Sequence, residues 1–190
     1  MTKPLITRQT FVEHTDYPKL NKWKRRLMHQ LENKFGNKIA FGGSFVLNVL
    51  GIIDRPINDI DIVVNENHVD LVKDWLKNEF MFVDDLEEYG SMQMDDKELT
   101  HYILRKQNLK VCIFGNNVNV TEFECIRYEW DNISLVFRIC PLKPIIKAKE
   151  KYVNRLTHLV DLTRKQQDIL LKHKSDLVKY HIWEHQKENT

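Results

Sequence analysis

The sequence lacks the features that mark membrane, secreted and zinc-binding proteins. None of its apolar runs approaches 18 residues, and its first ten residues, MTKPLITRQT, contain no apolar signal core. It has only three cysteines, an odd number, and no CxxC pair. This pattern is typical of reduced thiols in an intracellular protein. We therefore expect a cytoplasmic protein whose cysteines, Cys112, Cys125 and Cys140, are reduced.

A strong excess of charge and several familiar catalytic motifs are also missing. The net charge is only +2, so the chain as a whole does not predict a strongly charged partner. There is no GxSxG, no Cys–His dyad and no Walker A lysine. What is present fits an ordinary globular protein, since 42% of the 190 residues are hydrophobic and 29% are charged. Five prolines argue against broad disorder. We expect one domain over residues 1–140, with residues 141–190 forming a helical hairpin packed on it.

Residues 39–64, IAFGGSFVLNVLGIIDRPINDIDIVV, organise the rest of the chain. Their pattern predicts a strand, a glycine-rich turn, a short apolar helix, a second turn and a second strand. These elements fall in order at 39–41, 42–44, 45–50, 51–58 and 59–64. A glycine-rich turn between a strand and a helix points free backbone N–H groups at an anion. Ser44 is the expected N-cap of the helix, and its hydroxyl is available to a phosphate.

Two aspartates lie within the second predicted strand. Asp59 and Asp61 share one face because strand side chains alternate, while Ile60 and Ile62 point into the core. Two carboxylates about 6–7 Å apart along a strand can bind one or two Mg²⁺ ions. Asp is disfavoured inside strands, so a pair there favours a function. A phosphate-binding turn followed by a metal-binding pair is typical of transfer chemistry on a nucleoside triphosphate.

This segment resembles the signature of the DNA polymerase β-like nucleotidyltransferases. The shared features are Gly42-Gly43-Ser44, fourteen intervening residues and Asp59-Ile60-Asp61. The nearest relatives by pattern are the minimal nucleotidyltransferases, including antibiotic-modifying and toxin–antitoxin members. More loosely, the pattern is similar to that of the CCA-adding enzymes, which rely on two carboxylates, although their Arg-Asp pair after the turn is absent here. The resemblance implies Mg²⁺- or Mn²⁺-dependent transfer of a nucleoside monophosphate from an NTP to an acceptor hydroxyl, with release of pyrophosphate.

The resemblance also assigns roles to individual residues. Gly42, Gly43 and Ser44 would bind the phosphates, and Asp59 and Asp61 would bind the metal. A lysine from the first C-terminal helix, Lys147 or Lys149, would reach the triphosphate. The run from Lys172 to Leu177, KHKSDL, is similar to one found near the end of several minimal nucleotidyltransferases, where it makes a partly buried structural contact.

The third carboxylate of the family pattern is missing. Many members carry Lys-hydrophobic-Asp-hydrophobic-Phe on a later strand, and here Cys112 takes the place of that aspartate, in Lys110-Val111-Cys112-Ile113-Phe114. A thiol is a poor ligand for Mg²⁺. If 110–114 and 118–126 form a hairpin through Gly115-Asn116-Asn117, Glu122 lies diagonal to Cys112. Glu122 is therefore the expected substitute for the third carboxylate.

The other elements predict a mixed sheet. We expect helices at 16–35, with Asp16 as N-cap and Gly36 as C-cap, and at 68–80. A short strand at 81–83 precedes an acidic loop at 84–98, either a flap near the substrate or a solvated connection. A first hairpin joins 100–104 to 110–114, a further strand follows at 133–139, and helices are expected at 144–160 and 163–186. The predicted fold is α/β (α+β), a mixed β-sheet of the nucleotidyltransferase type with helices on one face and a C-terminal helical hairpin.

Other candidate residues and two other functions stay open. Arg55 and Asn58 flank the aspartate strand and could touch phosphate or base, although Asn58 suits a turn. His181 and His185 are one helical turn apart, which could bind a transition metal but better fits a solvated helix end.

The acceptor could be a small molecule, an RNA 3′ end or a protein hydroxyl. One alternative is a catalytically degraded protein that binds nucleotide or a partner. The other is an RNA-tailing enzyme that grips RNA with the basic helix 19–26, which could equally be a solvated face.

Overall fold

The computed structural model describes residues 20–85, 100–130 and 133–189 of the chain, and these residues form a mixed α+β fold, as predicted. The helices are α1 Lys22–Phe35, α2 Gly43–Val49, α3 Val69–Phe80, α4 Leu142–Thr157 and α5 Arg164–Glu188. The strands are β1 Ile39–Phe41, β2 Asp59–Asn65, β3 Val83–Asp84, β4 Thr100–Lys106, β5 Leu109–Asn116, β6 Cys125–Trp130 and β7 Ile133–Arg138. The acidic segment proposed as a flap falls largely on 86–99, outside the described residues.

Five strands form one sheet in the order β1-β2-β5-β4-β3, and β6 and β7 pair separately. β2 lies between β1, to which it is antiparallel, and β5, to which it is parallel. The parallel pairing of β2 with β5 requires the long crossover that contains α3. Parallel pairing makes residues at the same level of the two strands share a face. The consequence is that the aspartate face of β2 continues onto β5.

The first predicted hairpin is confirmed and the second is wrong. β4 and β5 pair antiparallel from Thr100↔Gly115 to Lys106↔Leu109, with Gln107 in the turn at a φ of 52°. The predicted partner of β5, residues 118–126, instead leaves the sheet through a 3₁₀ turn at Val120–Glu122. Both edges of β5 are already occupied by β2 and β4, so no place remains for another strand beside it. β6 pairs with β7 instead.

Helix α1 begins later than its periodicity predicts. Asn21 is its N-cap and accepts a hydrogen bond from the Lys24 amide at 2.9 Å, whereas the expected cap, Asp16, lies outside the described residues. The predicted end is confirmed: Gly36 caps α1 with a φ of 46°, a conformation that glycine adopts without strain. Leu27, Met28 and Leu31 then face the core.

The core lies between the sheet and the helices. Phe41, Phe45 and Phe137 form a trio with ring centroids 5.2–5.8 Å apart in edge-to-face arrangements, joining β1, α2 and β7. β7 reaches β1 through a parallel bridge between Phe41 and Ile139. The two separate strands are therefore fixed to the main sheet beside the glycine turn.

The last two helices form the predicted antiparallel pair. Thr163 opens α5 with a capping box, in which its side chain and that of Gln166 bind each other's backbone N–H groups. Ile145 and Ile146 of α4 and Tyr180 of α5 are buried in the same apolar cluster as the strands, so the pair packs on the sheet. Among the described residues, no helix combines the length and the apolar character needed to cross a bilayer.

Candidate metal and nucleotide site

Strand β2 presents its two aspartates as the sequence predicts. Its residues alternate between buried and half-buried, with Ile60, Ile62 and Val64 in the core and Asp59 and Asp61 on the opposite face. The apolar contacts on one face fix the register, because a slip of one residue would bury both carboxylates. The aspartate pair is therefore held at a defined position in the middle of the sheet.

The glycine turn packs directly against Asp61. The Gly42 N–H donates to the Asp61 carbonyl at 2.8 Å, which extends the β1–β2 ladder into the turn. Gly43 has a φ of 57°, and a Cβ built on it would lie 1.6 Å from Oδ2 of Asp61. Only glycine fits a position that needs a positive φ and also leaves room for the carboxylate. The Gly42 amide, predicted to face phosphate, is already used within the fold.

The predicted N-cap role of Ser44 is wrong. Helix α2 begins at Gly43, with Gly42 as the capping residue, and Ser44 lies inside the first turn. Its hydroxyl is buried and accepts a hydrogen bond from Nη2 of Arg55 at 2.9 Å. Ser44 therefore helps to fix the loop after α2, while its expected contact with phosphate stays a prediction.

Cys112 occupies the third position of the carboxylate group. The register of β2 and β5 pairs Asp61 with Cys112 and Asp59 with Lys110, so all four side chains share one face. One ligand atom from each of Asp59, Asp61 and Cys112 lies within 4.8 Å of the others. Cys112 is 3% exposed, whereas both aspartates are half-buried. The thiol is thus at the base of the group, and the carboxylates lie nearer the solvent.

Glu122 is wrong as the third carboxylate. It is exposed in the Val120–Glu122 turn, and its carboxylate accepts a hydrogen bond from Asn119 at 2.8 Å. That turn follows Val118, whose carbonyl bonds to Asn65 at the far end of β2. Four residues of strand separate Asp61 from Asn65, or roughly 13 Å. The error follows from the wrong hairpin, because Glu122 was expected across from Cys112.

Three lysines act electrostatically on the aspartates: Lys110 and Lys172 on both of them, and Lys149 on Asp61. Nζ of Lys110 is 3.6 Å from Oδ2 of Asp59. Lys172 on α5 is half-buried, and its charge acts on both Asp59 and Asp61, yet it makes no hydrogen bond or ion pair with any described residue. An ammonium near two carboxylates but bonded to neither is available to an anion that enters between them.

The two carboxyls have different proton affinities. Burial raises the pKa of Asp61 to about 6, and the neighbouring Asp59 charge adds to the increase. Burial also acts to raise the pKa of Asp59, but Lys172, Lys110 and hydrogen bonds to the carboxylate outweigh it. The pKa of Asp59 therefore lies below its ordinary value, and Asp59 is ionised at neutral pH.

A buried ion network joins the C-terminal helices to the glycine turn. Asp176 of α5 accepts two hydrogen bonds from Arg55, at 3.0 Å from Nε and 2.6 Å from Nη2. Its Oδ2 also accepts from Nζ of Lys149 on α4 at 2.9 Å. The bidentate arginine gives the contact geometric specificity. Because Arg55 also donates to Ser44, the network fixes α5, and with it Lys172, relative to the turn.

The predicted phosphate lysines of α4 are placed differently. Lys149 is 5% exposed and its ammonium pairs with Asp176, while its charge also acts on Asp61, so its expected contact with the triphosphate stays a prediction. Lys147 is exposed, and its role stays a prediction. His173 lies 3.3 Å from Nζ of Lys149, and burial together with the charges of Lys149 and Lys172 lowers its pKa to about 3. The run from Lys172 to Leu177 does make the buried polar contact that its pattern predicts, through Asp176.

One lysine of the basic helix is buried, and the histidine pair lies near an exposed helix end. Lys24, counted in the basic face, is buried and donates from Nζ to the Ile57 carbonyl, next to the aspartate strand. Lys22 and Arg26 remain exposed. His181 and His185 are exposed near the end of α5, as expected for a solvated helix terminus. Asn58 is exposed in the loop before β2.

The chain matches no family model, no curated protein and no solved structure. The site therefore has to be judged on its own geometry. Its carboxylates and its turn follow from local sequence patterns, and the resemblance to the nucleotidyltransferase pattern implied the position of Cys112. Lys110 could have been found from the β2–β5 register, since it precedes Cys112 by two residues. Lys172 carried no such signal, because only the packing of α5 brings it to a strand more than 100 residues earlier in the chain.

Proposed function

We propose that the protein is a divalent-metal-dependent nucleotidyltransferase that moves a nucleoside monophosphate from an NTP to an acceptor hydroxyl and releases pyrophosphate. The observation that carries this proposal is the packing of Gly43 against the Asp61 carboxylate, with Asp59 beside it on the same strand face. A phosphate-binding turn and a metal-binding pair need to be adjacent for one substrate to contact both. The resemblance of residues 39–64 to the nucleotidyltransferase signature supports the same conclusion.

The donor set fits Mg²⁺ or Mn²⁺ in part. Asp59 and Asp61 offer hard carboxylate oxygens, which Mg²⁺ prefers, and substrate phosphates would complete the coordination. The thiol of Cys112 does not suit Mg²⁺. A metal bound to the aspartates would supply Lewis-acid polarisation of the α-phosphate and lower the pKa of the attacking hydroxyl.

The protein's own residues would bind and orient the triphosphate. Lys172 has a charge that no described residue pairs directly, and Lys110 is next to Asp59, which supports a role for both in binding phosphate oxygens near the carboxylates. Asp59 is ionised at neutral pH and is available as a ligand. The backbone N–H groups of Gly43 and Ser44 lie at the same turn.

The test is NTP binding and transfer by wild type and an Asp61→Asn variant. Calorimetry with each NTP, with and without Mg²⁺ or Mn²⁺, should show metal-dependent binding that the variant loses. Transfer of a labelled nucleotide to candidate acceptors should also disappear, while circular dichroism stays unchanged. Asp168→Asn, on an exposed position of α5, is the matched control. Equal transfer by wild type and Asp61→Asn would remove the proposal.

A second candidate, a binding module without transferase activity, is favoured by one observation. Cys112 occupies the position beside Asp61 at which the resembled enzymes carry a third carboxylate. In that case the wild type would bind nucleotide without transferring it, and Cys112→Asp would gain transfer. A Cys112→Asp variant that binds NTP and Mg²⁺ yet remains inactive would speak against a simple loss of the third carboxylate.

RNA tailing remains a narrower form of the first proposal. The exposed Lys22 and Arg26 could contact RNA, although the burial of Lys24 shortens the basic face. Steep loss of RNA affinity with rising salt would favour it, because phosphate contacts release counterions. Absence of RNA binding at low salt would remove it.

A further inference from the structure

We propose that Asp59, Asp61 and Cys112 together bind a thiophilic divalent cation of the Zn²⁺ class when no nucleotide is present, with the Cys112 thiolate as a ligand. The inference deepens the proposed function because it concerns the same carboxylate pair. It requires that pair to bind a metal but does not require transfer.

The first argument is the chemistry of the donor set. Two carboxylate oxygens and one sulfur lie within 4.8 Å of one another on adjacent strands. Zinc sites that do more than maintain structure commonly have three protein ligands and one open position. Tetrahedral ligands at about 2.0–2.3 Å from a metal are about 3.3–3.5 Å apart. Small rotations about the side-chain bonds would bring the two oxygens and the sulfur to these distances. A soft thiolate selects such metals over Mg²⁺.

The second argument is the state of the Asp61 carboxylate. It accepts no hydrogen bond and joins no ion pair with any described residue, although Gly43 and the surrounding sheet crowd it. Carboxylates in such surroundings are normally paired, because leaving them unpaired is costly. A cation between Asp61, Asp59 and Cys112 would supply the missing partner.

The third argument is the charge balance. Lys110, Lys149 and Lys172 already offset the two carboxylates, so a hard cation gains little net attraction without the negative charge of a nucleotide. Binding through Cys112 is different, because the thiol releases its proton to solvent and the resulting thiolate adds a third negative charge at the metal. The site is therefore expected to bind Zn²⁺-class ions alone and Mg²⁺ only together with NTP.

Co²⁺ is the probe, since a cobalt–thiolate bond produces a charge-transfer band in the near ultraviolet. Titration of the full chain with Co²⁺, without nucleotide, should give this band at one equivalent, and Zn²⁺ should displace it. Cys112→Ser should abolish the band and weaken Zn²⁺ binding by more than the roughly 10- to 100-fold that loss of an outer-shell partner costs. Cys125→Ser, on β6 outside the ligand group, should leave the band unchanged.

Several results would overturn the inference. They are a band that survives Cys112→Ser, a band that disappears in Cys125→Ser, and cobalt bound without any thiolate band, as imidazoles such as His181 and His185 would produce. A Cys112→Asp variant should lose the band and gain Mg²⁺ affinity. Failure of the thiolate-metal proposal can be told apart from failure of the proposed function. The cobalt band needs no nucleotide, and the calorimetry with Mg²⁺ and NTP needs no thiolate.

Discussion

Gly43 and Asp61 approach each other so closely that a methyl group on Gly43 would overlap the Asp61 carboxylate, with its carbon 1.6 Å from Oδ2. Two distinct constraints therefore fix glycine at this position: a φ of 57° and the carboxylate itself. Gly36 is subject to the backbone constraint alone, since its φ is 46° and nothing lies within 4 Å of a Cβ built on it.

The pair Gly43→Ala and Gly36→Ala separates these constraints. Gly36→Ala should lower the free energy of unfolding by about 1–3 kcal/mol, the cost of a sparsely populated positive-φ conformation for a residue with a Cβ. Gly43→Ala should cost more and should also displace Asp61, so that metal-dependent NTP binding is lost. Urea denaturation and calorimetry measure the two effects. Equal behaviour of the two variants would show that the contact with Asp61 has no consequence.

Lys172→Met tests the unpaired ammonium near the aspartates. Removing a charged hydrogen bond to phosphate should raise the dissociation constant for NTP by about 10- to 100-fold, equivalent to about 1.5–3 kcal/mol. Lys174→Met, exposed on the same helix, is the control and should leave NTP affinity unchanged. Calorimetry in the presence of Mg²⁺ is the measurement. If both variants bind NTP as wild type does, Lys172 is not a phosphate ligand.

Asp176→Ala tests the network beneath the site. It leaves the buried Lys149 ammonium without its partner, and loss of one member of a buried ion pair costs about 3–5 kcal/mol. Combining Asp176→Leu with Lys149→Met should recover much of the stability, because an apolar pair leaves no buried charge. Urea denaturation gives the free energies, with the exposed Asp168→Ala as control. A loss below about 1 kcal/mol for Asp176→Ala would contradict the burial of this pair.

The raised pKa of Glu32 on α1 predicts that the free energy of unfolding depends on pH. Burial raises the pKa of Glu32 to about 7, despite the opposing charge of Arg138, and its Oε2 has no hydrogen-bond partner among the described residues. The unfolded chain should titrate near the ordinary value of about 4.3, so the folded state binds more protons between about pH 4.3 and 7. The stability contributed by protonated Glu32 is complete below this window and is lost as the pH rises through it.

Glu32→Gln should remove that dependence. The variant should match wild type near pH 4.5 and exceed its free energy of unfolding at pH 8, where wild type carries a charge on the partly buried Glu32 carboxylate. Urea denaturation at both pH values, with exposed Glu79→Gln as control, gives the difference. A difference between wild type and Glu32→Gln that stays constant with pH would show that Glu32 titrates alike in the folded and unfolded states.

Local patterns predicted the elements that carry the proposed chemistry. The alternation in β2 and the apolar stripe of α3 are set by residues near in sequence, so their positions follow from periodicity alone. The same holds for the C-cap at Gly36, which needs a positive φ. The resemblance of the Lys-to-Phe run of β5 to the family pattern also implied that Cys112 takes the third position.

The errors concern contacts between distant segments. Glu122 was placed by assuming that β5 pairs with the segment that follows it, whereas β2 and β4 occupy both of its edges. Lys149 was expected at the nucleotide because related enzymes bring a lysine from such a helix, and its burial beside Asp176 is a contact that the sequence did not predict. Strand pairing and the pairing of buried charges depend on which surfaces meet.

By itself, the amino-acid sequence determined the helices, most of the strands and the glycine turn that precedes the aspartate strand, since these depend on local backbone preferences and periodic burial. Only the tertiary structure decided which side chains surround Asp61. The parallel pairing of β2 with β5 places Cys112 beside it, and the Arg55–Asp176 contact places α5, and with it Lys172, near the same carboxylates. Those neighbours are set by packing between residues 50 to 120 positions apart, which no local pattern encodes.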